Sequence, residues 1–389
     1  MREALDTFLD DSLPFLDPVR AHERTAYGWR GLTEVGEVLE VKATNGVPSE
    51  VLVAAAGKPI SRREVRNDWT VDIDAYLFHF NLVVAHYKAD RLDQALLESD
   101  ATLKIAPTLR AKFNRAMILL AAGRWIEGFD EYWQCEQQAP FMRPQAREAL
   151  DLGLTPWRGE DLKGKRLLLL HAHGFGDTLM MLRYVPVLRA SGVNAVTVLP
   201  PSLHRLAEQC GPVGEIQAGD YFCPILHLLH FLRVTPDLVD GHPYLTARTK
   251  QLFPTARRRV GIAWSIGKPS NGDYPREIPL AELVAAFGKD TEIHSVQTQG
   301  AEEARQFGVR VREFKDFTDC AELMMSMDEI ISVDTAALHL AGAIGHPRVI
   351  GLLSHWASWR WAAPWYQNVM FYRQPTAGDW ASALAQIHQ

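Results

Sequence analysis

Cysteine is scarce in this chain, and what there is does not cluster. The four residues, Cys135, Cys210, Cys223 and Cys320, lie far apart and form no CxxC pair. That excludes a disulfide framework and a structural zinc, and leaves ordinary buried thiols. Long apolar runs are missing as well: nothing approaches the roughly 20 residues of a membrane-spanning helix. The opening MREALDTFLDDSLPF carries acids where a secretory signal carries bases. The expectation is a cytoplasmic protein with no transmembrane segment. An excess of basic charge is absent too. With a net charge of −6, there is no reason to expect a nucleic-acid partner.

What is present is the composition of an ordinary globular protein, 47% hydrophobic and 23% charged. Its 389 residues exceed one domain and imply about two to three. Residues 1–74 form an accessory segment: one short helix and a loop up to Tyr27, then β-prone runs at Glu37–Ala43, Glu50–Ala55 and Asp68–Ile73. The turns Asn45-Gly46 and Gly57-Lys58-Pro59 punctuate them into a small antiparallel unit. Residues 75–140 contain a repeat. Phe80-Asn81 returns as Phe113-Asn114, Arg91 as Arg124, Leu92 as Trp125, Ala95 as Gly128 and Leu96 as Phe129, a 33-residue spacing without a gap. Each unit reads as two helices, and the spacing is similar to tetratricopeptide repeats, with their period of about 34. Two functions fit equally: a groove for an acceptor or partner, or a helical buttress.

The rest of the chain has the rhythm of βα units, an α/β class. Residues 141–253 centre on KRLLLLHAHGFGDTLMMLRYVPVLRASGV, from Lys165 to Val193. It reads as a strand (Arg166–Leu170), a tight turn and one amphipathic helix (Thr178–Ala190). The turn is neither a Walker loop nor GxGxxG. Its backbone amides suit an anion, and Asp177 at the helix start either caps the helix or takes a proton. Strands are expected at Ala195–Leu199 and Gly214–Gln217, and an apolar helix bearing His227 and His230 over Asp220–Leu232. In residues 254–389 the alternation restarts, with strands at Val260–Trp264, Glu292–Val296, Val309–Phe314, Glu329–Val333 and Arg348–Leu352. Two such sets imply two doubly wound, Rossmann-like domains with a cleft between them.

The second set supplies a phosphate site. A helix over Ala336–Ile344 follows the Asp334-Thr335 turn, so Thr335 and His339 share one face near its positive end. Asp334 is expected as the N-cap rather than a catalyst, because a free carboxylate would repel a diphosphate. At a second strand end stand Trp264-Ser265, then Lys268 and Arg276. These cations either offset charge on a departing diphosphate, making a metal unnecessary, or are solvated loop charges.

GFGDTLMMLRYVPVLRASG, WSIGKPSNGDYPREIPL and SVDTAALHLAGAIGHPRVIGL, with WRWAAPWYQNVMFYRQ behind, together resemble the heptosyltransferase family of glycosyltransferases. The likeness is to the branch with tetratricopeptide repeats ahead of the catalytic part, and it covers about Phe80 to the C-terminus. The resemblance implies a GT-B architecture, a nucleotide-sugar donor held mainly by the later half, and inverting transfer of a hexosyl or heptosyl group with no cofactor and no metal. By that resemblance Asp177 matches the base. Thr335 and His339 match the diphosphate-binding turn, with Asp334 and Ala336 beside them. Ser265 and Arg276 match donor-loop positions, and Gln297 a residue near the nucleotide. Gly176, Thr178 and Lys268 complete the expected donor contacts. His173 could share the base role, and His171 and His227 are candidate acceptor contacts. The chain departs from the pattern at His171-Ala172-His173-Gly174 and at Ile266-Gly267. The first adds imidazoles near the proposed base; the second alters a loop over the donor.

Two rivals compete with this reading. His171-x-His173 after a strand also begins some barrel metallohydrolases. A catalytically silent sugar-nucleotide or protein-binding scaffold would use the repeats alone. The acceptor in the transferase reading is a glycan or a protein, with the repeats as the candidate to hold it. The aromatic tail from Trp356 to Tyr372 either stacks on a base or sugar or, as expected for most of it, is core and domain packing, and a last helix, Trp380–His388, is expected to return to the first half.

Overall fold

The computed structural model describes residues 19–25, 28–33, 38–44, 47–54, 61–64, 73–138, 144–217, 221–249, 255–266, 276–356 and 358–387. The chain divides into two compact units, Met1–Met142 with Ser270–Tyr274, and Arg143–Pro269 with Pro275–Gln389.

The first unit opens with an antiparallel meander in chain order: β1 (Val19–Thr25), β2 (Gly28–Thr33), β3 (Val38–Thr44), β4 (Val47–Ala54) and β5 (Ser61–Glu64). β3 and β4 fall where the β-prone runs stand. The expected opening helix and loop give way to strand at residues 19–25. There VRAHERT has no apolar alternation, and its strand character comes from the ladder with β2. The run expected at 68–73 lies outside the described residues except for Ile73, which starts a helix. Four helices follow: α1 (Ile73–Lys88), α2 (Leu92–Ile105), α3 (Leu109–Ala121) and α4 (Trp125–Glu136). They pack successively, α1 on α2 and α3 on α4, around Val83, Ala95, Leu96, Ile118 and Leu119. The small residue recurring at Ala95 and Gly128 now has a cause. A Cβ at Gly128 would meet Leu120 Cδ2 at 2.7 Å, so helix contact at that register needs a minimal side chain.

The second unit holds two parallel sheets. After α5 (Pro144–Asp151) come β6 (Thr155–Pro156), β7 (Arg166–Leu170), α6 (Phe175–Leu182), α7 (Tyr184–Ala190), β8 (Asn194–Val198), α8 (His204–Ala207), β9 (Tyr221–Pro224) and α9 (Leu228–Phe231). The sheet order is β6-β9-β7-β8, all parallel. Leu167–Leu170 are buried, as an apolar run covered on both faces requires. Three expectations fail here. The third strand is Tyr221–Pro224 rather than 214–217, where Val213 makes only an isolated bridge to Thr197. The helix expected across 220–232 therefore begins only after Pro224. The helix expected over 178–190 is two, meeting at Arg183.

The later half runs β10 (Arg258–Ala263), α10 (Leu280–Ala285), β11 (Thr291–Ser295), α11 (Ala301–Gln306), α12 (Phe317–Met324), β12 (Glu329–Val333), α13 (Ala336–Ala343), β13 (Val349–Leu353), β14 (Val369–Arg373) and α14 (Trp380–Leu384). Its sheet is β11-β10-β12-β13-β14, all parallel. The stretch 309–314 is not a strand but a single bridge, His294 to Arg310; part of the aromatic tail becomes β14 instead. The last helix does not return to the first half. Trp380, Ala383, Leu384 and Ile387 put one apolar stripe into the core formed by Val260, Ile262, Leu280 and Leu283 of the later half. Among the described residues no helix is long and apolar enough to cross a membrane. Two open sheets also remove the barrel on which the metallohydrolase alternative depended.

Candidate functional site

In each sheet the strand order reverses at one place, and such switch points open a crevice at the C-terminal strand ends. In the first half it lies between β7 and β9, in the later half between β10 and β12. The chain emerging from β7 is the His171–Gly174 turn into α6. That leaving β10 carries Trp264 and Ser265, and that leaving β12 carries Asp334 and Thr335 into α13. A separate charge cluster of the later sheet sits at the other end of β12, where fully buried Glu329 is paired with Arg258 and Arg348.

The two crevices meet. A Cβ on Gly176 would lie 2.6 Å from His339 Cδ2, so the first turn of α6 touches the second turn of α13 where only glycine fits. Asp177 is 6% exposed. One carboxylate oxygen accepts from the Gly174 backbone amide at 3.3 Å; the other accepts from Arg360 Nε. The cap reading of Asp177 is thus present alongside a buried ion pair. Burial alone would push this carboxyl up. The Arg360 guanidinium, helped by His173 and His339, more than offsets that and holds it down at about 2.

His171 and His173 flank this corner. His171 Nδ1 lies 2.7 Å from the hydroxyl of fully buried Thr178, and burial, opposed by Asp177, pushes its pKa down. His173 occupies the left-handed backbone region at φ 64°, unusual outside glycine. Phe175, 39% exposed, packs between His171 and Phe317 of α12. His227 is buried on the single turn Ile225–His227, which packs on α6.

In the later half His339 is buried and its pKa falls to about 4, mainly through desolvation. Its ring stacks on Trp361, with centroids 4.6 Å apart, and Nδ1 lies 3.0 Å from the Tyr366 hydroxyl. Burial keeps that phenol protonated. Asp334 is not the N-cap. The helix starts one residue later, so the cap position falls to Thr335, whose hydroxyl lies 3.1 Å from Ser332 Oγ. The Asp334 carboxylate instead accepts from Arg276 Nη1 at 3.3 Å, and its carbonyl does so at 3.4 Å. Arg276 is accordingly anchored rather than a free loop charge, beside the Thr335-Ala336 amides that open α13.

Gln297 acts on the backbone. Its Oε1 accepts from the amides of Trp264 at 2.8 Å and Ser265 at 3.1 Å, fixing the end of β10. Ser265 Oγ donates to Glu277 Oε1 at 3.0 Å, and Trp380 Nε1 of α14 donates to the Glu277 carbonyl at 2.9 Å. Lys268 lies outside the described residues. Arg360 is the residue that sequence reasoning missed. Its signal was an arginine set among tryptophans in WRWAAPW, where an apolar surrounding forces a charge to find a partner.

Other contacts tie the halves. Arg183 Nη2 donates to the Trp365 carbonyl at 2.8 Å, and its guanidinium sits 4.5 Å from the Tyr244 ring centroid. Arg205 pairs with Asp316 and Asp319 at 2.8 and 3.1 Å.

No protein-family profile matches the chain. Protein FlbA of Caulobacter vibrioides is 23% identical over 366 residues, covering 79% of this chain and 60% of the relative. The chain therefore spans about three fifths of the length of the curated relative it matches. Among solved structures, a glycosyl transferase family 9 protein from Veillonella parvula superposes with a TM-score of 0.42 at 12% identity, over 55% of this chain and 87% of that one. The E. coli heptosyltransferase WaaC with ADP-2-deoxy-2-fluoro heptose gives 0.39 at 12% identity, over 58% and 98%. At these scores and identities the likenesses carry no argument about chemistry.

Proposed function

We propose that this chain is a glycosyltransferase of GT-B architecture that moves a hexosyl or heptosyl group from a nucleotide sugar to a glycan or protein acceptor. The observation that carries the reading is the meeting of two strand-end corners in one unit, with Gly176 against His339, Asp177 on one side and Thr335 with Arg276 on the other. The ordered motifs of the sequence support it independently. The donor's diphosphate would lie on the Thr335-Ala336 amides and Arg276, where fixed positive groups meet developing negative charge. Asp177 takes the proton of an acceptor hydroxyl as that oxygen bonds to the anomeric carbon. The carbon–oxygen bond to the diphosphate breaks, and its electron pair leaves with the nucleotide. One displacement inverts the centre, with no covalent sugar–enzyme species. The helices of residues 75–140 are offered as a tetratricopeptide-like acceptor groove, in a cytoplasmic protein.

One observation favours the silent-scaffold alternative: a carboxylate paired to arginine and held at about 2 is a poor base. A nucleotide-sugar panel separates the two. Transfer or hydrolysis of any donor establishes the enzyme, and binding without turnover across the panel establishes the scaffold.

A further inference from the structure

The Asp177–Arg360 pair is awkward for the transferase reading taken alone. It joins a proposed base from the first half to a cation from the later half, in a site where a diphosphate is expected. Arg360 also donates to the Ser358 hydroxyl at 3.1 Å and lies 4.8 Å from the centroid of the Trp359 ring. Its side chain is 23% exposed, so an incoming anion can reach it. It stands on the one-turn helix Trp359–Ala362, whose backbone is pinned where Trp365 Nε1 donates to the Arg360 carbonyl. The main chain at Arg360 is thus fixed independently of its guanidinium. Its goal is near: the adjacent Trp361 stacks on His339, one helical turn from Thr335 at the mouth of α13. A guanidinium fork matches a phosphate as well as a carboxylate.

Resting on the transferase reading, we propose that Arg360 is a donor-operated latch: it holds Asp177 until a nucleoside diphosphate group draws the guanidinium away, freeing the carboxylate to act as base. The groups facing Asp177 set how its carboxyl responds. They are His171 and His173 from the β7–α6 turn, His339 from α13 and Arg360 itself. Without Arg360 the burial effect dominates, and the carboxyl moves up from about 2 towards and beyond the ordinary carboxylate range. The base therefore becomes competent only once the donor is in place, which orders binding and suppresses proton abstraction from a lone acceptor.

The test uses the full chain, with ADP, GDP, UDP, CDP and dTDP as probes in calorimetry. Isotope-edited infrared titration of the Asp177 carboxyl, identified by difference from Asp177→Asn, supplies a second readout. The expected result is that Arg360→Gln binds the preferred diphosphate about tenfold or more weakly, the loss typical of a charge-assisted hydrogen bond. Saturating diphosphate should raise the Asp177 titration more in the wild type than in Arg360→Gln, where only the direct repulsion between the two anions remains. Arg360→Lys, which keeps the charge without the fork, should fall between. A merely structural arginine would leave the diphosphate-induced shift equal in the wild type and in Arg360→Gln. If the wild type binds and transfers while Arg360→Gln binds equally well, or if diphosphate leaves the wild-type titration unchanged, the latch is overturned and the transferase reading stands. If the wild type neither binds any of the five nor turns over any sugar nucleotide, the transferase reading falls and the latch with it.

Discussion

The corners after β7 and β12 are built from the same parts and do different work. Each is a parallel strand, a turn and a helix whose first amides face the crevice, with an aspartate near the helix start. In the later corner the aspartate precedes the cap and is paired within its own half, so Asp334 fixes where Arg276 stands. In the earlier corner the aspartate lies inside the helix's first turn, and its cation comes from the opposite half. On the proposed reading, one carboxylate is a positioning group and the other a group whose partner departs when the donor binds. Local sequence makes the corner; which half supplies the partner sets its role.

The comparison can be broken by substitution. Asp177→Asn should cost about 10²- to 10⁴-fold in kcat, the usual worth of a general base, with the fold intact by circular dichroism. Asp334→Asn should leave kcat nearer wild type and raise the donor KM about tenfold by loosening Arg276. Equal kcat losses in steady-state assays would erase the distinction.

His339 gives a pH signature. Its folded-state pKa is depressed from 6.5 to about 4, so the unfolded chain binds more protons between those values. Stability is fully present above 6.5 and is lost as pH falls towards 4. That difference is worth on the order of 3 kcal/mol at 1.36 kcal/mol per pKa unit. His339→Gln should flatten the dependence of the denaturation midpoint on pH across that window. The smallest effect is expected at the contact itself. Gly176→Ala should cost about 1–3 kcal/mol of stability, as overpacking does, read as a lowered Tm, because His339 is wedged between Trp361 and the new methyl group.

The two sheets were legible in unequal measure. Strands such as RLLLL and EIISV announce themselves because both faces are covered, and caps such as Asp379, which accepts from the Ser382 amide at 3.0 Å, mark helix starts. Tyr221–Pro224 was not legible, since four residues ending in proline become a strand only through distant neighbours on either side. The last helix showed its stripe but not its destination; amphipathicity says that a face is buried, not against which sheet. The Asp177 and Thr335 corners could be read from spacing. Arg360 could not be joined to Asp177, because no local pattern links residues 183 positions apart.

The tail of the chain has a practical bearing on the donor side. Trp380 grips the main chain at Glu277, whose side chain takes up Ser265 and whose neighbour Arg276 reaches Asp334. Clipping the protein ahead of Trp380 would remove that hold on the loop together with the apolar stripe that Ala383, Leu384 and Ile387 bury in the later half's core, though no residue expected to meet a nucleotide would be lost.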